Sequence, residues 1–422
     1  MSCELWVAGF PHPASRIPHP ASRTFPKYRK NPLVLFAING LMELPAEINK
    51  RKKKRVVLAV TNDLVTDQRV HKIATSLQNM GFDVTLAGRV LPHSLPLQSR
   101  TYACRRFALC LQKGPLFYAT YNLRIFVYLL ARNFDIIVSN DLDTLPGCFA
   151  AARLLGKPLV YDSHEYFTEV PELVGRPTVQ RIWEKIEKKI VPKLDRCYTV
   201  CNSIALIYRE KYGTDFQVVR NLPLKSKHTP SDAKYPPPFP VDLPIILYQG
   251  AVNLGRGIEE AIRAMHQVKN TRLVIIGDGD LLNECKALAE KEGLLDRVFF
   301  TGRIPFEKMP ALTSRATLGL SIEKDMGLNY RFALPNKLFD YIQAGVPVLA
   351  TGLPEIRAIV EGYRVGRIID EPTPDGIANG ILSMLGQAKA LDEWKANCRE
   401  AAGELCWEEE EKILKTLYDP LL

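Results

Sequence analysis

The stretch RVVLAVTNDLVTDQRVHKIATSLQNMGFDVTLAG, residues 55–88, decides the fold. RVVLAV (55–60) is a short apolar run rich in β-branched residues and reads as a strand. Over 66–80 the apolar positions include Val70, Ile73, Ala74 and Leu77, the spacing of one helix face. DVTLAG (83–88) is a second strand. A strand, a helix and a strand in that order predict a parallel pair with a helical crossover.

Working outward, the alternation continues. DIIVSN (135–140), PLVYD (158–162) and CYTVC (197–201) read as strands with helices between them. It pauses at PLKSKHTPSDAKYPPPFPVDLP (223–244), rich in Pro, Lys, Ser and Asp, which reads as an interdomain linker. It then restarts with IILYQG, RLVIIG, VFFTG, TLGLSI and VPVLAT. The expected architecture is α/β: two doubly wound, Rossmann-like domains facing a central cleft, with ligands beyond the carboxyl ends of the strands. The expected boundaries are a disordered extension over 1–54, a first domain over 55–222, a linker over 223–243, a second domain over 244–405, and a C-terminal helix over 406–422 packing back on the first domain. EEEEKILKTLY (408–418) puts acidic residues in that helix's first turn, where they suit the dipole.

With 422 residues there is ample core, and a net charge of +10 favours anionic partners such as phosphorylated ligands, acidic lipid or nucleic acid. The nine cysteines are scattered and mostly within apolar stretches, as reduced core thiols in a cytosolic protein are. No apolar run reaches the ~18 residues needed to span a bilayer. The best candidate, LFYATYNLRIFVYLL (116–130), is interrupted by Asn122 and Arg124 and reads as an amphipathic helix. PHPASR occurs twice, at 11–16 and 18–23, in a proline-rich segment without a core-forming pattern, and Met42 is an alternative initiator. The basic run KRKKKR (50–55) reads either as a solvated lead-in or as a contact for anionic lipid.

Three loops carry candidate chemistry. In LYQGAVNLGRGIEEAI (247–262), Gly250, Gly255 and Gly257 permit close backbone approach to a ligand, the following helix start attracts anions, and Arg256 adds a positive charge. The spacing is not that of a Walker loop. GDGDLL (277–282) reads as a turn and helix cap. In LPNKLFD (334–340), Pro335 suits a helix start, the backbone of Leu334, Pro335, Asn336 and Leu338 forms a second cradle, and Lys337 adds charge. Asp340 is a carboxylate in an otherwise apolar helix. It either turns to water or bonds a ligand, such as the ribose of a nucleotide whose diphosphate lies on the amides.

The first domain offers TND (61–63), NDLD (140–143) and DSHE (162–165) at strand ends. Asn62, Asp63, Asp141 and Glu165 are cleft or acceptor candidates. His164 is one of seven histidines and stands where active sites gather. Asp141 and Asp143 are spaced like a metal-binding pair, or cap the helix after Pro146.

Together, TNDLVTDQRVHKIATSLQNMGFDVTLAGR, YDSHEYFTEVPEL and LPNKLFDYIQAGVPVLAT resemble the retaining glycosyltransferases of family four, which have the GT-B fold; the resemblance covers about 55–418. It implies a nucleotide-diphosphate sugar held mainly by the second domain, a glycan or lipid-linked acceptor in the first, and catalysis in the cleft. It implies no metal or other cofactor, and no nucleic-acid partner. Asp340 aligns with the family's ribose contact. Phe332 stands where members commonly have a first glutamate. Arg256 matches the later member of the family's basic pair, whereas 249–251 offers no arginine for the earlier one. His164 matches a histidine expected near the transferred sugar. Arg256, Lys337 and the helix amides would stabilise the departing diphosphate. The expected setting is polysaccharide biosynthesis in the cytoplasm, with peripheral contact at the inner membrane face. Two alternatives remain: a sugar-nucleotide epimerase of the same architecture, and a non-catalytic nucleotide-sugar-binding partner subunit.

Overall fold

Val56, Val57, Leu58, Ala59 and Val60 are each no more than 2% exposed. A strand buried on both faces belongs in the middle of a helix-covered parallel sheet, and β1 (Arg55–Asp63) lies there. The computed structural model describes residues 53–65, 67–92, 94–173, 175–225 and 236–422. The expectations for 1–52, including Met42 and the start of the basic run, and for 226–235 of the linker lie outside the described residues.

The first sheet continues through β2 (Asp83–Val90), β3 (Ala103–Ala108), β4 (Ile136–Asn140), β5 (Leu159–Ser163), β6 (Cys197–Thr199) and β7 (Gln217–Val218). Its spatial order is β3-β2-β1-β4-β5-β6-β7, and every adjacent pair is parallel. Its helices are α1 (Gln68–Asn79), α2 (Pro115–Leu130), α3 (Leu145–Leu155), α4 (Pro177–Ile190) and α5 (Asn202–Tyr212). Asp67 caps α1 by accepting from the amide of Val70.

The second sheet holds β8 (Ile245–Gln249), β9 (Arg272–Ile276), β10 (Val298–Gly302), β11 (Leu318–Ser321), β12 (Val348–Thr351) and β13 (Gly366–Ile369), in the order β10-β9-β8-β11-β12-β13, again all parallel. Its helices are α6 (Ile258–Ala264), α7 (Leu282–Lys291), α8 (Met309–Thr313), α9 (Leu328–Arg331), α10 (Asn336–Gln343), α11 (Pro354–Gly362), α12 (Pro374–Leu385) and α13 (Ala388–Glu404). In each sheet the strand order reverses at one place, β1/β4 and β8/β11. Crevices for ligands open at such points.

The last helix, α14 (Trp407–Tyr418), leaves the second sheet and packs on the first. Trp407 Nε1 donates to Ser76 Oγ at 3.0 Å, and Leu414 and Tyr418 join the core around Val56, Val70 and Phe82. Glu410 pairs with Arg220 at 2.7 Å. The described residues thus form one compact unit.

Two details differ from the sequence reading. ACRRFA (103–108), not read as a strand, is parallel to β2 at the edge of the sheet, while the helix expected over 116–130 runs from Pro115 to Leu130. β3 alternates exposed and covered residues as an edge strand does, and it lacks the continuous apolar run that marks the central strands. The NDLD aspartates do not cap α3. Its N-cap is Thr144, without a side-chain bond, and Asp143 turns instead to Thr61.

Candidate active site

The loop after β8 and the start of α10 bring Arg256 and Lys337 to one carboxylate, that of Glu323, which follows β11. Lys337 Nζ stands 2.8 Å from Glu323 Oε1, off the axis of a good hydrogen bond, and Arg256 Nη1 stands 3.8 Å from the same oxygen. Glu323 is 0% exposed. Its Oε2 accepts from Ser321 Oγ at 2.9 Å. Burial favours the neutral carboxyl, but the charges of Lys337 and Arg256 outweigh it and hold its pKa below the ordinary value. Lys337 is likewise held charged: burial opposes the ammonium, and Glu323 more than compensates. Aromatic faces complete the site, with Lys337 Nζ 4.0 Å from the Tyr248 ring centre and Arg256 5.2 Å from that of Tyr330.

Backbone geometry explains the glycines here. Gly257 has φ +73°, and a Cβ there would fall 2.3 Å from the carbonyl oxygen of Ile322, so any side chain would push the Arg256 loop off the end of β11. Gly250 and Gly255 also have positive φ; a Cβ on Gly250 would face the Lys337 side chain, and one on Gly255 would collide with Met326. Pro335 is the N-cap of α10 and offers no side-chain bond to the first-turn amides.

Asp340 does not simply face water. Its Oδ2 accepts from Gln249 Nε2 at 3.0 Å, and Gln249 Oε1 in turn accepts from Thr313 Oγ1 at 2.7 Å. Burial raises the Asp340 pKa to about 6, opposed by the Gln249 bond and by the charge of Lys72 on α1. Lys72 is itself lowered to about 7, by burial and by its neighbour Arg69. Three other expected donor residues, Leu338, Leu334 and Asn336, have partners within the protein. Leu338 is fully buried in the second sheet's core, and its amide bonds Pro335 O, so its side chain lines no site. Leu334 packs with Phe332 against the aromatic cluster of the first half. Asn336 accepts a bond from Asn221 at 3.0 Å.

On the first half, His164 is held by two carboxylates. Its Nε2 lies 3.0 Å from Asp162 and its Nδ1 3.1 Å from Asp141, while its amide donates to Asp141 at 2.7 Å. Burial alone would favour the neutral ring, but the two aspartates raise its pKa well above the ordinary value. Arg69 forks onto Asp162 at 2.7 and 3.2 Å, so the column reads Arg69, Asp162, His164, Asp141. Both ring nitrogens are thus engaged, and the two carboxylates favour the charged ring. Behind it, Asp143 is raised to about 8 by burial and by the charge of Asp141. Glu165 reaches the second half, accepting from Asn329 Nδ2 at 3.1 Å, while the amide of Tyr166 donates to Asn329 Oδ1 at 3.1 Å. Asn62 and Asp63 lie apart from this group: Asn62 bonds Asp67, and Asp63 pairs with Arg106 on β3 at 3.2 Å. Among the described residues, no three His, Cys, Asp or Glu side chains converge as metal ligands.

Sequence reading missed Glu323, Gln249 and Asn329 as members of the site. For Glu323 a signal existed, an acidic residue directly after an apolar strand, at the strand end where ligands gather.

Comparisons with known proteins identify the family of both halves. The family model for Glycosyltransferase Family 4 matches residues 67–222, and that for Glycosyl transferases group 1 matches 232–401. Among curated relatives, the GDP-mannose-dependent alpha-(1-6)-phosphatidylinositol monomannoside mannosyltransferase of Mycolicibacterium smegmatis is 26% identical over 189 residues, 38% of this chain and 46% of that protein. The 2-deoxystreptamine glucosyltransferase of Streptomyces kanamyceticus is 24% identical over 176 residues, 36% of this chain and 41% of that protein. The aligned region thus spans less than half of either relative. Among solved structures, sucrose-phosphate synthase from Thermosynechococcus elongatus superposes with a TM-score of 0.71 at 18% identity, covering 87% of this chain and 99% of that one. HepE of Anabaena in complex with UDP and glucose gives 0.67 at 15% identity, covering 86% and 98%. With two parallel sheets, each with one reversal of strand order, and both halves matched by their own family model, the chain belongs to the family-four glycosyltransferases of GT-B fold.

Proposed function

We propose that the chain transfers a sugar, with retention, from a nucleotide-diphosphate sugar to a glycan or lipid-linked acceptor. The observation that carries this reading is the meeting of Arg256 and Lys337 at the carboxyl ends of β8 and β11. Two cations converging at a strand-order reversal suit a diphosphate. Asp340 lies one helical turn beyond Asn336, which supports its reading as the contact for the ribose hydroxyls. The UDP complexes of HepE and the GDP-mannose dependence of the Mycolicibacterium relative support a nucleotide-sugar donor of either base.

In this mechanism the bond between the anomeric carbon and the phosphate oxygen breaks while the acceptor oxygen bonds that carbon from the same side. The departing phosphate takes the acceptor's proton. Lys337 and Arg256 neutralise the charge growing on the diphosphate, without a metal. The His164 column, in which two cations alternate with two carboxylates, holds the ring fixed on the side of the first sheet.

A lipid-linked acceptor is supported by the outer face of α2. Leu116, Leu123, Val127 and Leu130 are 67%, 64%, 53% and 38% exposed along one stripe. Residues 84–134 contain no Asp or Glu, but include Arg89, Arg100, Arg105, Arg106, Lys113, Arg124 and Arg132. An apolar stripe on a segment this rich in cations, of which Arg106 is paired with Asp63, suits an anionic membrane surface. Among the described residues no helix is long and apolar enough to cross a membrane.

The test is incubation with labelled UDP- and GDP-sugars, with and without lipid and glycan acceptors. Acceptor-dependent transfer supports the reading. Conversion of the donor sugar without acceptor would instead indicate an epimerase, and diphosphate binding without turnover a partner subunit.

A further inference from the structure

We propose that Glu323 is a positioning residue of the donor site, a built-in counter-anion that keeps Lys337 charged and clustered with Arg256 before the diphosphate arrives. The proposal rests on the donor-site reading above and adds a residue and a role to it.

Three observations carry it. Glu323 is fully buried, and its Oε1 is shared between Lys337 at 2.8 Å and Arg256 at 3.8 Å. The three residues come from three separate segments, the loop after β8, the end of β11 and the first turn of α10, so no local structure alone brings them together. Glu323 is in turn fixed on both sides: Ser321 Oγ donates to its Oε2 at 2.9 Å, and Thr351 Oγ1 donates to its backbone carbonyl at 2.7 Å. A carboxylate anchored in this way serves as a post for the two cations.

The chemical consequence concerns the proton on Lys337. The groups facing its ammonium are Glu323 after β11, Arg256 in the loop after β8 and Tyr248 on β8, while Tyr341 of α10 faces Glu323, Tyr248 and Asp340. Of these, Glu323 is the anion that offsets burial and the repulsion of Arg256. Without it, a buried amine beside a guanidinium shifts toward the neutral form. The empty site would then hold its proton less firmly, and an arriving diphosphate would restore it. Glu323 therefore spares donor binding from a coupled protonation and leaves Lys337 ready to meet the leaving group.

The experiment is calorimetric titration of UDP and GDP into the wild-type chain, Glu323→Gln and Glu323→Asp, from pH 6.5 to 9, in Tris and in HEPES. These buffers have different heats of ionisation and so report proton uptake. Wild type should bind one diphosphate with little buffer dependence at pH 8. Glu323→Gln should take up most of a proton on binding at pH 8. Its affinity should fall at least tenfold more than that of wild type between pH 6.5 and 9. Glu323→Asp keeps the charge but withdraws it by one methylene. It should bind more weakly at every pH without proton uptake, and it decides the matter if Glu323→Gln does not fold. Failure of wild type to bind either diphosphate overturns the donor-site reading and this proposal with it. Binding by wild type, with the variants matching its affinity and buffer independence, overturns this proposal alone.

Discussion

Gln249 and Asp340 are joined by a 3.0 Å hydrogen bond between the end of β8 and helix α10. This bond explains how a carboxylate sits in an apolar helix: Gln249, itself held by Thr313, supplies the polar partner that burial demands. The bond is neutral to charged, and it leaves the Asp340 pKa raised to about 6.

Asp340→Asn should therefore stabilise the fold while weakening donor binding. The native carboxyl titrates near 6, above its unfolded value of about 3.9. The folded state thus binds more protons between those values, and stability falls as pH rises through them. Asparagine keeps an acceptor for Gln249 without the ionisation cost. The expected gain is about 1–3 kcal/mol at pH 7.5 and close to none at pH 3.5. Urea unfolding at both pH values measures it, beside UDP and GDP calorimetry. A loss of stability at pH 7.5 would contradict the assigned burial cost.

Lys337→Ala removes the nearest partner of a buried carboxylate, so its effect on turnover is confounded with stability. Breaking such a pair costs about 3–5 kcal/mol. The double variant Glu323→Gln/Lys337→Met removes both charges and should recover most of that loss. Turnover should remain ~100-fold or more below wild type in both, the scale for one lost electrostatic stabiliser. Wild-type rates in a folded double variant would end the leaving-group role of Lys337.

His164→Gln should destabilise by about 3 kcal/mol at pH 6, because Asp141 loses its cation and Asp162 keeps only Arg69. The folded pKa of His164 is raised, so its contribution is complete below the unfolded value of about 6.5 and is lost as pH rises through the folded one. The gap between variant and wild type should shrink toward alkaline pH. A gap independent of pH would show that the ring acts by packing rather than by charge.

The parts legible in sequence share a physical cause. Strands buried on both faces print continuous apolar runs, so β1, β4, β8 and β12 could be read directly. Edge strands β3 and β13 carry Arg105, Arg106 and Arg367 among their apolar residues and were missed. Gly257, Arg256 and Lys337 belong to contiguous loops with recognisable chemistry. The ion pair of Glu323 with Lys337 spans a loop and a short helix, and no spacing rule encodes it. His164 was legible as a residue of interest, whereas its clamping between Asp141 and Asp162 follows from the β4–β5 register, which pairs Asn140 with Asp162.

Vesicle binding should depend on α2. Sedimentation with vesicles containing phosphatidylglycerol should fall as salt rises, since the Debye length is already ~10 Å at 0.1 M. Leu123→Glu/Val127→Glu should lower binding at least tenfold with little change in melting temperature, because both residues are exposed. Equal sedimentation of variant and wild type would assign membrane contact, if any, to another surface.

The return of α14 to the first sheet has a mechanical consequence. The chain passes between the halves twice, after Leu222 and again before Trp407, and the two passages lie side by side. The amide of Trp407 donates to Pro223 O at 2.8 Å, and Glu408 accepts from the amide of Lys225. The halves are also tied away from these passages, by Asn329 donating to Glu165 and by the amide of Ser203 donating to Glu355. Lys337 and His164 are therefore carried on bodies held together on more than one side, at the paired passages and across their facing loops.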